Sequence, residues 1–67
     1  MKVRVNLLRQ NKVVEVDLPE NAKVRDLVKK LGFSTQGVVV MRDFTPLVED
    51  EPVTPGEYSV LQVASGG

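Results

Sequence analysis

The sequence predicts an α+β domain in which a mixed sheet of four to five strands packs on one helix, and three observations carry that expectation. Two alternating segments open the chain, Met1 to Leu8 and Val14 to Leu18. An amphipathic stretch with helical spacing follows over 22–31, and a final alternating segment, Tyr58 to Val63, comes after a Pro-Gly turn. The order strand, strand, helix, strand, short strand, strand gives the helix a sheet face to cover. It also lets the first and last strands lie side by side in parallel.

In the first segment Met1, Val3, Val5 and Leu7 alternate with Lys2, Arg4 and Asn6, the period-two pattern of a strand with one buried face. Arg9-Gln10-Asn11-Lys12 is a polar break, and Val14, Val16 and Leu18 then alternate with Glu15 and Asp17, so a β-hairpin is expected. Pro19 has no N–H for a ladder and closes the second strand. Val24, Leu27, Val28 and Leu31 fall at i, i+3, i+4 and i+7, with charged residues between them; Asn21 or a neighbour is expected to cap this helix and Gly32 to stop it. Lys29 and Lys30 then oppose the negative end of the helix dipole.

Val38 to Arg42 reads as a third strand whose continuous apolar run implies burial on both faces or a central place. Asp43-Phe44-Thr45-Pro46 is expected to turn, Leu47-Val48 to form a brief fourth strand, and Glu49-Asp50-Glu51 to remain at the surface with Val53 as an anchor. Thr54-Pro55-Gly56-Glu57 has the residues of a tight turn. Phe33 and Phe44 are expected to plug the two ends of the core, and Tyr58 to pack inside with its hydroxyl at the rim.

The composition narrows the chemistry. With 67 residues the chain forms one small domain, expected to be a monomer. A body over 1–63 is expected to end in a flexible tail, 64–67, which has small side chains and no apolar anchor. Hydrophobic residues make up 42% and charged residues 27%, which suits a folded protein. Nine basic residues balance nine acidic ones, so net charge recommends neither nucleic acid nor a membrane surface as partner. Cysteine and histidine are absent, which removes disulfides, thiolate chemistry and the commonest general base. No apolar stretch approaches a membrane span, and a cytoplasmic location is expected. Neither an enzymatic activity of its own nor a cofactor is expected; the acidic run reads as loop surface rather than a metal site, and no phosphate-cradling glycine loop is present.

What remains is the ending. Glycine lacks a Cβ, so Gly66-Gly67 can thread a narrow channel and bring a carboxylate to a nucleotide or nucleophile held by another protein. A free carboxylate is unreactive; as an acyl-adenylate it is open to sulfide or persulfide, giving a thiocarboxylate, or to a lysine amine, giving an isopeptide bond. On the last strand, Tyr58 and Val60 facing the core send Ser59, Leu61 and Val63 to the opposite face beside the tail, framed by Lys2, Arg4 and Asn6. The inverted register, with Leu61 and Val63 buried, is the alternative, and solvent exposure separates the two.

Two segments carry a resemblance to a known family. They are Val24-Arg25-Asp26-Leu27-Val28-Lys29-Lys30-Leu31-Gly32 and the run from Pro55-Gly56-Glu57-Tyr58 to Ala64-Ser65-Gly66-Gly67. Over its full length the chain resembles the ubiquitin-like β-grasp sulfur carriers of the ThiS and MoaD type, and especially the small archaeal modifier proteins. The resemblance implies that Gly67 is adenylated by a separate ATP-dependent activating enzyme and that Gly66 gives access. It also implies docking through Leu61, Val63, Ser59 and Arg4. Downstream partners would be a sulfur-acceptor enzyme or lysines of target proteins; Lys2, Lys12, Lys23, Lys29 and Lys30 are candidate acceptors for self-conjugation. A plain β-grasp interaction module without tail chemistry is the alternative from another class.

Overall fold

The computed structural model describes residues 1–63. Its elements in chain order are β1 (Lys2–Leu7), β2 (Lys12–Asp17), α1 (Val24–Lys30), β3 (Val38–Arg42), β4 (Thr45–Leu47) and β5 (Gly56–Gln62). One five-stranded sheet runs β2-β1-β5-β3-β4. The two N-terminal strands pair antiparallel, from Lys2 opposite Asp17 to Leu7 opposite Lys12. β5 enters parallel to β1, with Val3 beside Gly56 and Leu7 beside Val60, and antiparallel to β3, with Val38 opposite Gln62. The last strand of the chain is therefore the central strand of the sheet.

The alternation read from the sequence sets the two faces. Val3, Val5 and Leu7 of β1, Val16 of β2, Val38 and Val40 of β3, and Tyr58 and Val60 of β5 are buried beneath α1. Val24, Leu27 and Val28 are the buried residues of α1, and Leu27 is fully buried. Burying a leucine side chain of this kind contributes about 1.5–3 kcal/mol. No charged side chain is buried among the described residues.

The helix is shorter than its apolar period suggests. Ala22 lies in a turn closed by its N–H to the Pro19 carbonyl (3.1 Å), and Lys23, extended at φ −113°, makes an antiparallel bridge with Pro52 and stands at the N-cap. The first free helical amides are taken up from far along the chain: Val24 N–H donates to the Glu51 carbonyl (2.9 Å) and Arg25 N–H to that of Glu49 (3.0 Å). Asp26 accepts from the Lys23 N–H (2.8 Å), and Asp50 pairs with Arg25 (2.6 Å). The acidic run is thus at the surface, as expected, and its backbone caps the helix. Val53, buried, holds the run down through its N–H to the Ala22 carbonyl (2.9 Å).

At the other end Gly32 has φ +87°, Phe33 N–H donates to the Val28 carbonyl (3.1 Å) and Gly32 N–H to that of Lys29 (3.0 Å). These are the two bonds of a Schellman stop, and they bring Phe33 against the core.

Four further expectations are corrected. The first hairpin loop is Leu8 to Asn11, with Asn11 at φ +52°, and Lys12 already belongs to β2. β3 is flanked on both sides but is not central, and Val39 and Met41 on its second face are only half-buried. Asp43 (φ +52°) and Phe44 (φ +65°) alone reverse the chain, so Thr45 and Pro46 pair with Arg42 and Met41 in β4 and Val48 lies outside it. Pro46 is tolerated because β4 is an edge strand. Lastly, Phe44 plugs nothing: it points away from the core and is 99% exposed, because a two-residue turn leaves its tip no depth to reach the core.

Candidate functional site

β5 begins two residues earlier than the sequence suggests, because Gly56 and Glu57 already pair with Val3 and Arg4. Its start is fixed by Arg42. The guanidinium donates through Nη1 to the Tyr58 hydroxyl (2.7 Å), the Thr54 carbonyl (3.2 Å) and the Thr54 hydroxyl, and through Nη2 to the Pro55 carbonyl (2.7 Å). Its central carbon lies 4.8 Å from the centre of the Tyr58 ring. The same tyrosine oxygen accepts from Thr54 N–H (3.0 Å) and donates to the Thr54 carbonyl (3.2 Å), so Tyr58 is a buried ring with a satisfied hydroxyl at the rim. Gly56 fits beneath this arrangement with φ +140°; a Cβ there would run into the guanidinium.

With Tyr58 and Val60 inward, the second face of β5 carries Glu57, Ser59 and Leu61, and Val63 follows just past the strand. Ser59 and Leu61 are half-buried and Val63 is 55% exposed. The inverted register is thereby excluded. Val63 N–H donates to the Gly37 carbonyl (2.9 Å), which holds the exit of the strand against the loop before β3.

Neighbouring strands extend this open face. Arg4 stands beside Glu57 and Asn6 beside Ser59 on β1, while Met41 stands opposite Ser59 and Val39 opposite Leu61 on β3. The side of the face nearest the end of β5 is apolar, through Leu61, Val63 and Val39, and the side nearest its start is charged, through Arg4 and Glu57. The four candidate docking residues, Arg4, Ser59, Leu61 and Val63, therefore share one surface. A concavity of about 310 Å³ opens on it, lined by Asn6, Met41, Glu57 and Ser59 with Leu8, Asp43 and Phe44.

Gly67, expected to be activated, and Gly66, expected to give it access, lie outside the described residues, as does the rest of 64–67. Lys2, Lys12, Lys23, Lys29 and Lys30 are all exposed. Among the described residues no group of acidic side chains is placed to hold a metal ion, and no helix is long and apolar enough to cross a membrane. The sequence reading missed Phe44 as a surface residue and Arg42 as a brace. A turn of only two residues between strand-like runs is a signal for the first; an arginine at the end of an apolar strand gives none for the second.

A mixed five-stranded sheet of this order wrapped on one helix, its last strand central, is the ubiquitin-like β-grasp. The fold matches the crystal structure of SAMP1 from Haloferax volcanii with a TM-score of 0.74 over 100% of both chains, at 19% identity. The model of small archaeal modifier protein 2 matches residues 1–64, and the chain belongs to that family of small ubiquitin-like modifiers. An uncharacterized protein of Archaeoglobus fulgidus is 31% identical over 68 residues, spanning the whole of both chains.

Proposed function

We propose that the chain presents Gly67 as a terminal carboxylate which a separate enzyme adenylates with ATP, releasing pyrophosphate. The acyl-adenylate then loses AMP to one of two nucleophiles. Sulfide gives a thiocarboxylate, a sulfur store for a downstream acceptor enzyme; the amine of a target lysine gives an isopeptide bond and a tagged protein. Gly66 leaves room for the approach. ATP belongs to the activating partner, and the chain's own side chains supply no step.

Membership of the small archaeal modifier protein 2 family, in a chain whose sequence reads Gly66-Gly67, is the observation that carries this reading. The open face lends support: Leu61, Val63, Ser59 and Arg4 lie together on and beside the strand that leads into the tail, where an activating enzyme gripping the body would meet them. A cytoplasmic setting, where ATP and activating enzymes reside, belongs to the same proposal.

The test is intact-mass spectrometry of the chain after incubation with ATP, its activating enzyme and sulfide. The expected product is heavier by one oxygen-to-sulfur exchange at Gly67; in lysate, lysine-linked adducts of larger mass report conjugation. A chain lacking Gly66-Gly67 should fold and give neither product. A mature protein continuing past Gly67 untrimmed would sink the reading.

A further inference from the structure

Phe44 breaks two local rules at once. Its ring is 99% exposed, and its backbone sits at φ +65°, where a Cβ costs roughly 1–2 kcal/mol. The turn needs positive φ at both of its residues, which an Asp-Gly pair supplies without either penalty. Departures of this kind in an otherwise consistent sequence mark function rather than folding.

The surroundings of Phe44 give that function a chemical direction. It lines the concavity of the open face together with Leu8 and Met41, two polar side chains, Asn6 and Ser59, and two carboxylates, Asp43 and Glu57. Met41 stands opposite Ser59, Asp43 follows in the turn just past β3, and Glu57 precedes Tyr58 on β5. Neither carboxylate has an ion pair or a side-chain hydrogen bond among the described residues, and Arg4, across from Glu57 on β1, makes none with it. No basic residue lines the concavity.

The complement of a concavity lined by two carboxylates, an aromatic ring and two aliphatic walls is a flat cation on an apolar stem. We propose that this concavity receives an arginine side chain of a partner protein, with the guanidinium between Asp43 and Glu57 and its plane against Phe44. The methylene stem lies on Leu8 and Met41. Arginine fits better than lysine because its planar fork can serve both carboxylates and stack on a ring, which a compact ammonium cannot do. The inference deepens the reading of the open face as the docking face and is independent of the tail chemistry.

The probe is acetyl-leucyl-arginyl-leucinamide titrated into the ¹⁵N-labelled full chain, with the glutaminyl and lysyl peptides as comparisons. Amide shifts at Asn6, Asp43, Phe44, Glu57 and Ser59 are expected, with the arginyl peptide binding at least about tenfold more tightly than the glutaminyl one. Asp43→Asn and Phe44→Gly both suit positive φ, so the turn survives them, and each should weaken binding severalfold; Glu57→Gln should do the same. Deleting Gly66-Gly67 should leave the shifts in place, which separates this outcome from failure of the acyl chemistry. Equal binding of the glutaminyl or lysyl peptide overturns the proposal. So do shifts centred on Glu15 and Asp17, or binding that survives Asp43→Asn and Glu57→Gln together.

Discussion

Arg42 lies over the face of Tyr58 and at the same time hydrogen-bonds its hydroxyl, so one guanidinium joins the end of β3 to the start of β5. Both residues also hold Thr54, the arginine through its carbonyl and hydroxyl and the tyrosine through its N–H and carbonyl. Removing the guanidinium by Arg42→Ala should cost about 1–2 kcal/mol, since it takes away charged hydrogen bonds at a partly exposed site and a cation–π contact. Arg42→Lys should recover only part, because an ammonium cannot reach Thr54, Pro55 and Tyr58 together. Urea unfolding of the three proteins measures the difference.

Gly56 should tolerate no side chain. Gly56→Ala places a Cβ against the Arg42 guanidinium and imposes φ +140° on a residue that avoids it, at an expected cost of about 1–3 kcal/mol. In the Arg42→Ala background the steric part disappears and the backbone part stays. The double-mutant cycle should therefore be less than additive, and full additivity would show that the guanidinium yields without cost.

The turn at Asp43 and Phe44 gives the opposite sign. Phe44→Gly relieves left-handed strain and uncovers no core, so thermal unfolding should rise or stay level, with a gain of up to about 1–2 kcal/mol. A fall in stability would mean that the ring makes a contact which its exposure does not reveal.

Leu27→Ala tests how thin the core is. Truncating a fully buried leucine costs about 2–5 kcal/mol, and a domain this small holds only about 3–5 kcal/mol in total. Far-ultraviolet circular dichroism should find a large unfolded fraction at 25 °C without denaturant. A fully folded variant would point to a more generous margin than the size of the chain allows.

For the open face, Leu61→Arg should change the unfolding free energy by no more than about 1 kcal/mol, because the half-buried residue lies outside the core. Its effect should fall on the activating enzyme: adenylation measured by pyrophosphate release should slow severalfold, while Lys29→Ala on the far side of the domain changes nothing. Equal rates for both variants would remove Leu61 from the docking surface.

Alternation made β1, β2 and β5 readable in the sequence, since a period of two fixes which side chains are buried once one of them is. The same logic put Ser59, Leu61 and Val63 on one face, and exposure agrees. Failures came where non-local contacts decide. α1 starts at Val24 because carbonyls of residues 49 and 51 and the bridge to Pro52 fix its first turn, which no helical pattern within 22–31 can encode. Phe44, expected at one end of the core, departs for a local reason instead, because two residues of positive φ turn it outward. Gly66 and Gly67 are legible only as sequence, and their chemistry rests on the company the chain keeps in its family.

The parallel pairing of β1 with β5 has a mechanical consequence for any cargo attached beyond Gln62. Tension between the start of β1 and the end of β5 acts along the strand axes, so it must slide the two strands past each other and strain every rung from Val3–Gly56 to Leu7–Val60 together. A hairpin pulled at its open end gives way one rung at a time. A load across these two ends is therefore met by five rungs at once.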